Sequence, residues 1–149
     1  MPIPPQIARL LERVGTELLL VPAVAVLVRG DDGRVLPVHN VEGFWTLPGG
    51  LLEPDERPDD AAARERCEES SLTVRVGRVL GVFGGPVFRS TFVNGDRIAT
   101  MSAIFAADVV TGSPRPDGVE TDAAGWFGSA EALSLELSAR TRVVLEAPL

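Results

Sequence analysis

The segment of residues 57–70 constrains the fold most, because it is the clearest helix signal in the chain. It contains three alanines and many charged residues, and no glycine or proline follows Pro58, which suits a first helical turn. Glu65, Glu68 and Glu69 lie at helical offsets of 0, 3 and 4, so their side chains share one face within a sector of roughly 100°. Three like charges on one face repel each other in an isolated helix. The segment therefore predicts either a solvated acidic face or a site for a cation.

The residues just before this helix favour the cation over the solvated face. A glycine pair, Gly49-Gly50, opens a loop that carries Glu53, Asp55 and Glu56. Glycines let the backbone approach a ligand closely, and a carbonyl from such a loop can join a metal shell. Mg²⁺ and Mn²⁺ prefer oxygen ligands, and Mg²⁺ usually keeps waters and substrate phosphates in its shell. A few carboxylates are therefore enough to build a metal site here.

The stretch GLLEPDERPDDAAARERCEESSL resembles the sequence box of the Nudix (MutT-like) hydrolase family, G-x5-E-x7-R-E-U-x-E-E-x-G-U, in which U is a bulky apolar residue. The residues that match it at the required spacing are Gly50, Glu56, Arg64, Glu65, Glu68, Glu69 and Leu72. Two positions depart from the pattern. Arg66 replaces an apolar residue, and we expect its stem to lie along apolar surface with its charged head in water. Ser71 replaces a glycine, and a left-handed conformation there would cost on the order of 1 kcal/mol.

This resemblance implies a fold and an activity. The fold is α/β of the α+β type, an α/β/α sandwich with a mixed β-sheet and the catalytic loop and helix between strands. The activity is hydrolysis of the pyrophosphate bond in a nucleoside diphosphate linked to another group, by attack of water on phosphorus with Mg²⁺ or Mn²⁺ as cofactor. A nucleoside triphosphate, ADP-ribose or a nucleotide sugar would fit this description. Two alternatives stay open: a catalytically weak Nudix-fold module that binds or senses a nucleotide, and a structural acidic helix with no site.

The resemblance also implies roles for individual residues. Arg64 would orient the catalytic carboxylates through a salt bridge, and Glu56 would anchor the loop to the helix. Gly49 would contribute its backbone carbonyl to the metal. The metal-binding set implied in this way is Gly49, Glu56, Glu65, Glu68, Glu69 and Glu120, and the catalytic set is Arg64, Glu65, Glu68, Glu69 and Glu120.

Glu120 is the predicted acidic residue outside the box. It lies six residues before Trp126 in VETDAAGWF, which resembles the loop and strand that bring a further acidic ligand or general base to the site. Asp117 and Asp122 are nearby substitutes, and an ordinary surface loop remains the alternative. The family's general base varies between the helix and a later loop, so the sequence leaves the choice open.

Candidate substrate contacts lie outside the box, with a structural role as the alternative for each. Phe88, Arg89 and Arg97 flank a predicted hairpin with Asn94-Gly95 at its tip, where they could contact a base or a phosphate. His39, the sole histidine, is a further candidate. The predicted substrate-binding set is therefore Phe88, Arg89, Arg97 and His39.

The remaining pattern predicts alternating strands and helices around the box. Helices are expected at residues 7–14, 129–135 and 138–145, and strands at 18–29, 72–83, 97–109 and 123–127. The turn Asp31-Asp32-Gly33 predicts that residues 34–38 return as the second strand of a hairpin. Residues 43–53, short and punctuated by glycine, predict strand and loop.

Chain length and net charge limit the functions that the protein can have. The 149 residues predict one domain over 1–149, with 1–17 as an N-terminal helical extension. A net charge of −7 disfavours nucleic acid and anionic membranes as partners and leaves a small-molecule nucleotide. One cysteine, Cys67, no signal-peptide pattern and no apolar run of membrane-spanning length predict a soluble cytoplasmic protein. The oligomeric state stays open, with a homodimer among the options.

Overall fold

The computed structural model describes residues 2–149 as two β-sheets with helices packed around them. Within that range the helices are α1 (Pro5–Val14), α2 (Pro58–Ser70), α3 (Ser129–Ser134) and α4 (Ala139–Glu146). The strands are β1 (Leu18–Val28), β2 (Val38–Asn40), β3 (Trp45–Thr46), β4 (Gly49–Leu51), β5 (Thr73–Phe83), β6 (Arg89–Thr91), β7 (Arg97–Thr111) and β8 (Thr121–Ala124). A short 3₁₀ turn covers Pro86–Phe88.

The larger sheet is mixed and has the strand order β4-β1-β7-β5, with β6 paired to the first residues of β7. Its centre is β1, an apolar strand that pairs in parallel with β7 and antiparallel with β4. A strand buried on both faces reads as a continuous apolar run, which is why β1 lacks polar alternation. The pairing places Gly49 beside Ala25 and Gly50 beside Val24. The glycine pair thereby lies in β4 at the edge of this sheet, and the chain continues from there through residues 52–57 into α2.

The smaller sheet has the order β3-β2-β8 and is antiparallel. The predicted hairpin return over residues 34–38 is mostly wrong, because Val35 forms only isolated bridges, to Arg29 and to Phe127. The chain leaves β1 after this brief contact and pairs as β2 with β3 and β8 instead. Val35 lies between Arg29 and Phe127 and bridges both, and a local turn signal does not reveal the partners of β2 that lie later in the chain.

The core lies on both faces of the larger sheet. On one face, Val24 and Val26 of β1 pack against Ala61 and Ala62 of α2. On the opposite face, Leu27 packs in one cluster with residues of α3 and α4, including Val144. The sheet is therefore enclosed by helices on its two sides, and the expected α/β/α arrangement with a mixed sheet is confirmed.

Helix α1 packs on its own domain. Its buried residues Ile7 and Leu11 share a cluster with Val21, Leu51 and Ile98 of the larger sheet. The spacing of apolar residues predicted this helix, and the structure shows what its apolar face covers. No helix within residues 2–149 has the length and apolar character needed to cross a membrane.

Candidate active site

Helix α2 and the preceding loop are joined by Arg64. Its Nε donates to Glu56 Oε1 at 2.6 Å and its Nη2 donates to Glu56 Oε2 at 3.0 Å, a bidentate pair between helix and loop. Its Nη1 donates to Glu65 Oε1 at 2.8 Å and to Glu68 Oε2 at 3.3 Å. The hydrogen bonds from Arg64 lower the pKa of Glu56 and keep it ionised. The contacts expected of Arg64 and Glu56 are therefore present.

The two glycines allow the loop to lie directly against the helix carboxylates. An added Cβ on Gly50 would lie 2.5 Å from Cδ of Glu65, so any side chain there would displace that carboxylate. An added Cβ on Gly49 would lie 2.9 Å from Cα of Ala25. The Gly49 backbone also hydrogen bonds to the Glu69 carboxylate. The glycine pair is thus required by close packing, and it brings the Gly49–Gly50 backbone to the acidic face.

The carboxylates of α2 differ in burial. Glu65 and Glu69 are buried, with 3% and 8% of their surface exposed, whereas the Glu68 side chain is half exposed. Burial raises the pKa of Glu69 to about 8, with the negative charges of Glu65 and Glu120 adding to the shift. Burial also raises the pKa of Glu65, because desolvation outweighs the nearby charge of Arg64. Burial therefore disfavours the ionised form of both groups in the absence of a bound cation.

Glu120 approaches this pair from a separate loop. Its charge acts on both Glu65 and Glu69, which places the three carboxylates in one neighbourhood. The loop is held by Asp117, whose Oδ1 accepts hydrogen bonds from the backbone N–H groups of Val119, Glu120 and Thr121. Asp117 therefore has a structural role in the loop and does not replace Glu120.

Thr121 is a positioning residue that the sequence did not reveal. Its hydroxyl is buried and donates to the backbone carbonyl of Glu69 at 2.9 Å, across 52 positions of sequence. This bond fastens the Glu120 loop to the last turn of α2. Arg115 adds a second tie, from its backbone N–H to the Ser70 carbonyl at 3.0 Å. A threonine beside a charged residue has no distinctive sequence signal, so these ties emerge only from the fold.

Ser71 and Arg66, the two positions that depart from the family's sequence box, differ in how well the structure agrees with the expectation. Ser71 ends α2 in the left-handed conformation, with φ 58° and ψ 24°, as expected for the position of a usual glycine. The expectation that the charged head of Arg66 lies in water is wrong, because the side chain is fully buried. Its Nη1 donates to the Leu36 carbonyl at 3.1 Å, whereas Nε and Nη2 have no hydrogen-bond partner within residues 2–149. Burial lowers the pKa of Arg66 accordingly.

The donor set suits a hard divalent cation. Glu65, Glu68, Glu69, Glu120 and the Gly49 carbonyl offer oxygen atoms, which are the ligands that Mg²⁺ and Mn²⁺ prefer. Across residues 2–149, no three histidine, cysteine or acidic side chains are grouped closely enough to hold a metal by themselves. Mg²⁺ keeps several waters and substrate phosphates in its shell and does not need such a group. The burial of Glu65 and Glu69, which raises the pKa of both carboxyl groups, is the observation that fits a cation here.

A cleft of about 920 Å³ opens above the buried carboxylates, between the larger sheet, the smaller sheet and α4. Its lining includes Gly49, Gly50, Glu69 and Glu120, which form the acidic end. The rest is apolar or carries hydroxyl groups, and it adds one further glutamate and two arginines. A concave, largely apolar site with a few polar groups is typical of small-molecule binding.

The predicted substrate contacts occupy different places. Phe88 is buried and lines the cleft, where it stacks on Phe83 with ring centroids 6.4 Å apart. The side chains of Arg89 and Arg97 are exposed and lie outside the cleft lining, with Arg97 bonded to the Thr16 carbonyl at 2.9 Å. His39 also lies outside the lining, where its Nδ1 contacts Asp122 Oδ1 at 2.6 Å. The structure therefore places Phe88 in the lining of the same cleft as Glu69 and Glu120, and it leaves the other three outside that lining.

Comparison with known proteins identifies the family. A family model described as the NUDIX domain matches residues 19–147, which is most of the chain. The chain therefore belongs to the Nudix family of pyrophosphohydrolases. Its fold resembles the crystal structure of a MutT NUDIX hydrolase from Burkholderia pseudomallei, with a TM-score of 0.72 and 26% identity. That match covers 87% of this chain and 98% of the other.

Two curated relatives match over shorter segments. The chain is 44% identical to a MutT-like protein of Streptomyces ambofaciens over 62 residues, which are 41% of this chain and 40% of the relative. It is 54% identical to diphosphoinositol polyphosphate phosphohydrolase 3-alpha of Mus musculus over 55 residues, which are 37% of this chain and 34% of that protein. The matches thus span well under two thirds of these relatives' length. They support the family and leave the substrate to be argued from the site.

Proposed function

We propose that this protein is a Mg²⁺-dependent pyrophosphohydrolase that cleaves a nucleoside diphosphate linked to another group. The observation that carries the proposal is the buried pair of carboxylates Glu65 and Glu69, of which Glu69 lines a substrate-sized cleft together with Glu120. Buried carboxylates without full compensation are costly to the fold and are retained where a cation or a proton transfer uses them. A purely structural acidic helix would leave these groups in solvent.

Each group of the site has a separate task in this proposal. The Gly49 carbonyl and the carboxylates of Glu65, Glu68, Glu69 and Glu120 would hold Mg²⁺ or Mn²⁺. Such a metal would neutralise charge on the phosphate oxygens and would lower the pKa of the attacking water. Arg64 keeps Glu65 and Glu68 oriented, and Glu56 anchors Arg64 to the loop. A carboxylate of the same group accepts the proton as water attacks phosphorus.

The cleft supports a nucleotide better than an inositol polyphosphate. A ligand with many phosphates requires an array of cationic side chains, since each phosphate needs charge compensation. The cleft lining carries two arginines against three glutamates. Its apolar and hydroxyl groups suit a base and a sugar instead. Nucleoside triphosphates, ADP-ribose and nucleotide sugars all satisfy this description of the substrate.

The test is a hydrolysis assay with a matched control. The purified protein is incubated with Mg²⁺ and a panel of nucleoside diphosphate derivatives, and the phosphorus-containing products are identified by chromatography. The wild type is expected to cut at least one compound, and Glu69→Gln is expected to lower turnover by about 100-fold or more through lost charge stabilisation. Glu12→Gln, on the exposed face of α1, removes a charge without touching the cleft and serves as control. Tight binding without cleavage of any compound would instead identify a nucleotide-binding module.

A further inference from the structure

The cleft lining contains one arginine, Arg140, that has no acidic partner among residues 2–149. Of the two arginines in the lining, Arg142 is occupied by its own helix region: Nη1 lies 3.3 Å from the Leu133 carbonyl and 3.5 Å from Glu146 Oε1. Arg140 contacts only uncharged groups among the described residues, namely the Ser90 hydroxyl and the Arg89 carbonyl. Both contacts use Nη2, so Nε and Nη1 keep their donors available.

Arg140 is also partly removed from water. It is half-buried, and desolvation lowers its pKa. A partly desolvated cation without an anionic partner is unfavourable in the ligand-free protein, and an anion supplied by a ligand would relieve that cost. In a chain with a net charge of −7, acidic side chains that could fill this role are abundant, yet none within residues 2–149 pairs with Arg140. The planar guanidinium is suited to bidentate recognition of phosphate.

The place of Arg140 in the fold separates it from the scissile bond. At the acidic end, Gly49 pairs with Ala25, and Ala25 pairs with Ile104 of β7. At the other end of the cleft, Arg140 contacts the Arg89 carbonyl, and Arg89 pairs with Ala99 of β7. The five residue steps from Ala99 to Ile104 correspond to about 16 Å along a strand. One pyrophosphate group cannot contact both ends of the cleft.

We propose that Arg140 determines specificity by binding a second anionic group of the substrate, a phosphate monoester remote from the pyrophosphate that is cleaved. This inference rests on the proposed function and narrows it, because it selects nucleoside diphosphate derivatives with an additional phosphate. The first turn of α4 would favour binding of the same phosphate. Ala139 in that turn also lines the cleft, and the positive end of the helix dipole favours anions. A single unpaired arginine fits one such phosphate and not a cluster.

The experiment compares ligands that differ only in the remote phosphate. NAD⁺ and NADP⁺ form one pair, and dephospho-coenzyme A and coenzyme A form another. Dissociation constants are measured by calorimetry in EDTA, so that binding is tested without turnover, and kcat/KM is then measured with Mg²⁺. We expect the wild type to bind the phosphorylated member of at least one pair about tenfold to a hundredfold more tightly, as for a hydrogen-bonded charge pair.

Variants assign that preference to Arg140. Arg140→Gln should weaken binding of the phosphorylated ligand to the affinity of its unphosphorylated partner and leave binding of the unphosphorylated ligand unchanged. Arg140→Lys should retain part of the preference for the phosphorylated ligand. Arg78→Gln removes an exposed arginine of β5 and should bind both members like the wild type. An equal loss for both members, or no preference in either pair, would overturn the inference. If the protein preferred the phosphorylated ligand through Arg140 but cleaved none of the ligands, this inference would stand and the proposed hydrolysis would be rejected.

Discussion

Replacing Arg66 with methionine removes a buried guanidinium from beneath the catalytic helix. The side chain is fully buried, and its Nε and Nη2 have no hydrogen-bond partner among residues 2–149, whereas Nη1 donates to the Leu36 carbonyl. Methionine is unbranched, flexible and apolar, so it can occupy the same channel without leaving a large cavity. The substitution also restores the apolar character that the family's box usually has at this position.

The expected gain in stability follows from the hydrogen-bond balance. Each buried donor without a partner costs about 1–3 kcal/mol, so removing Nε and Nη2 recovers about 2–6 kcal/mol. Loss of the bond to Leu36 leaves one carbonyl unpaired and costs about 1–3 kcal/mol. Arg66→Met should therefore stabilise the fold by roughly 1–3 kcal/mol, which corresponds to a rise in Tm of about 3–10 °C at this chain length.

The assay is thermal and urea unfolding of the metal-free protein, followed by circular dichroism at pH 6. Arg75→Met is the matched control, because Arg75 is exposed on β5 and surface substitutions usually change stability by less than about 0.5 kcal/mol. A clear fall in the Tm of Arg66→Met, with Arg75→Met unchanged, would refute the reasoning. It would mean that the guanidinium is satisfied by groups such as buried water.

Two further predictions concern the same helix. Ser71→Gly should raise the free energy of unfolding by about 0.5–1 kcal/mol, because glycine adopts the left-handed conformation without strain. The adjacent Ser70→Gly lies inside the helix and should lower the free energy of unfolding. If urea unfolding showed changes of the same sign for both variants, the prediction would be contradicted. In the metal-free protein, the folded state raises the pKa of Glu69 from 4.5 to about 8 and so binds more protons than the unfolded chain between those values. Stability should therefore fall as pH rises from about 5 to 8, and a Tm profile of Glu69→Gln no flatter than that of the wild type would reject this cause.

The local features of the site were predictable because they depend on short-range spacing. The limits of α2 follow from its lack of internal glycine, and the one-face placement of Glu65, Glu68 and Glu69 follows from helical geometry. The left-handed Ser71 also follows from its position at the helix end.

The long-range features could not be predicted from spacing. Thr121 contacts Glu69 across 52 positions, and Arg140 reaches Ser90 across 50, so only the fold brings these groups together. The depth of Arg66 was missed for a related reason: helical periodicity gives the direction of a side chain but not how much of the surrounding protein covers it. The predicted hairpin return after β1 is short because residues 38–40 pair instead with β3 and with β8, which lies far along the chain.

The central claim is that Glu65 and Glu69 are kept buried because a divalent cation compensates them. Mg²⁺ titration of thermal unfolding tests this most directly, since a ligand that binds only the folded state raises stability with its concentration. At pH 8 and without metal, the wild type should have a lower Tm than Glu69→Gln. Mg²⁺ should raise the Tm of the wild type in a saturable way and should raise that of the variant only a little. The Tm of the wild type should therefore exceed that of the variant once Mg²⁺ is bound. An equal rise in both proteins, or no rise in the wild type up to millimolar Mg²⁺, would contradict the account.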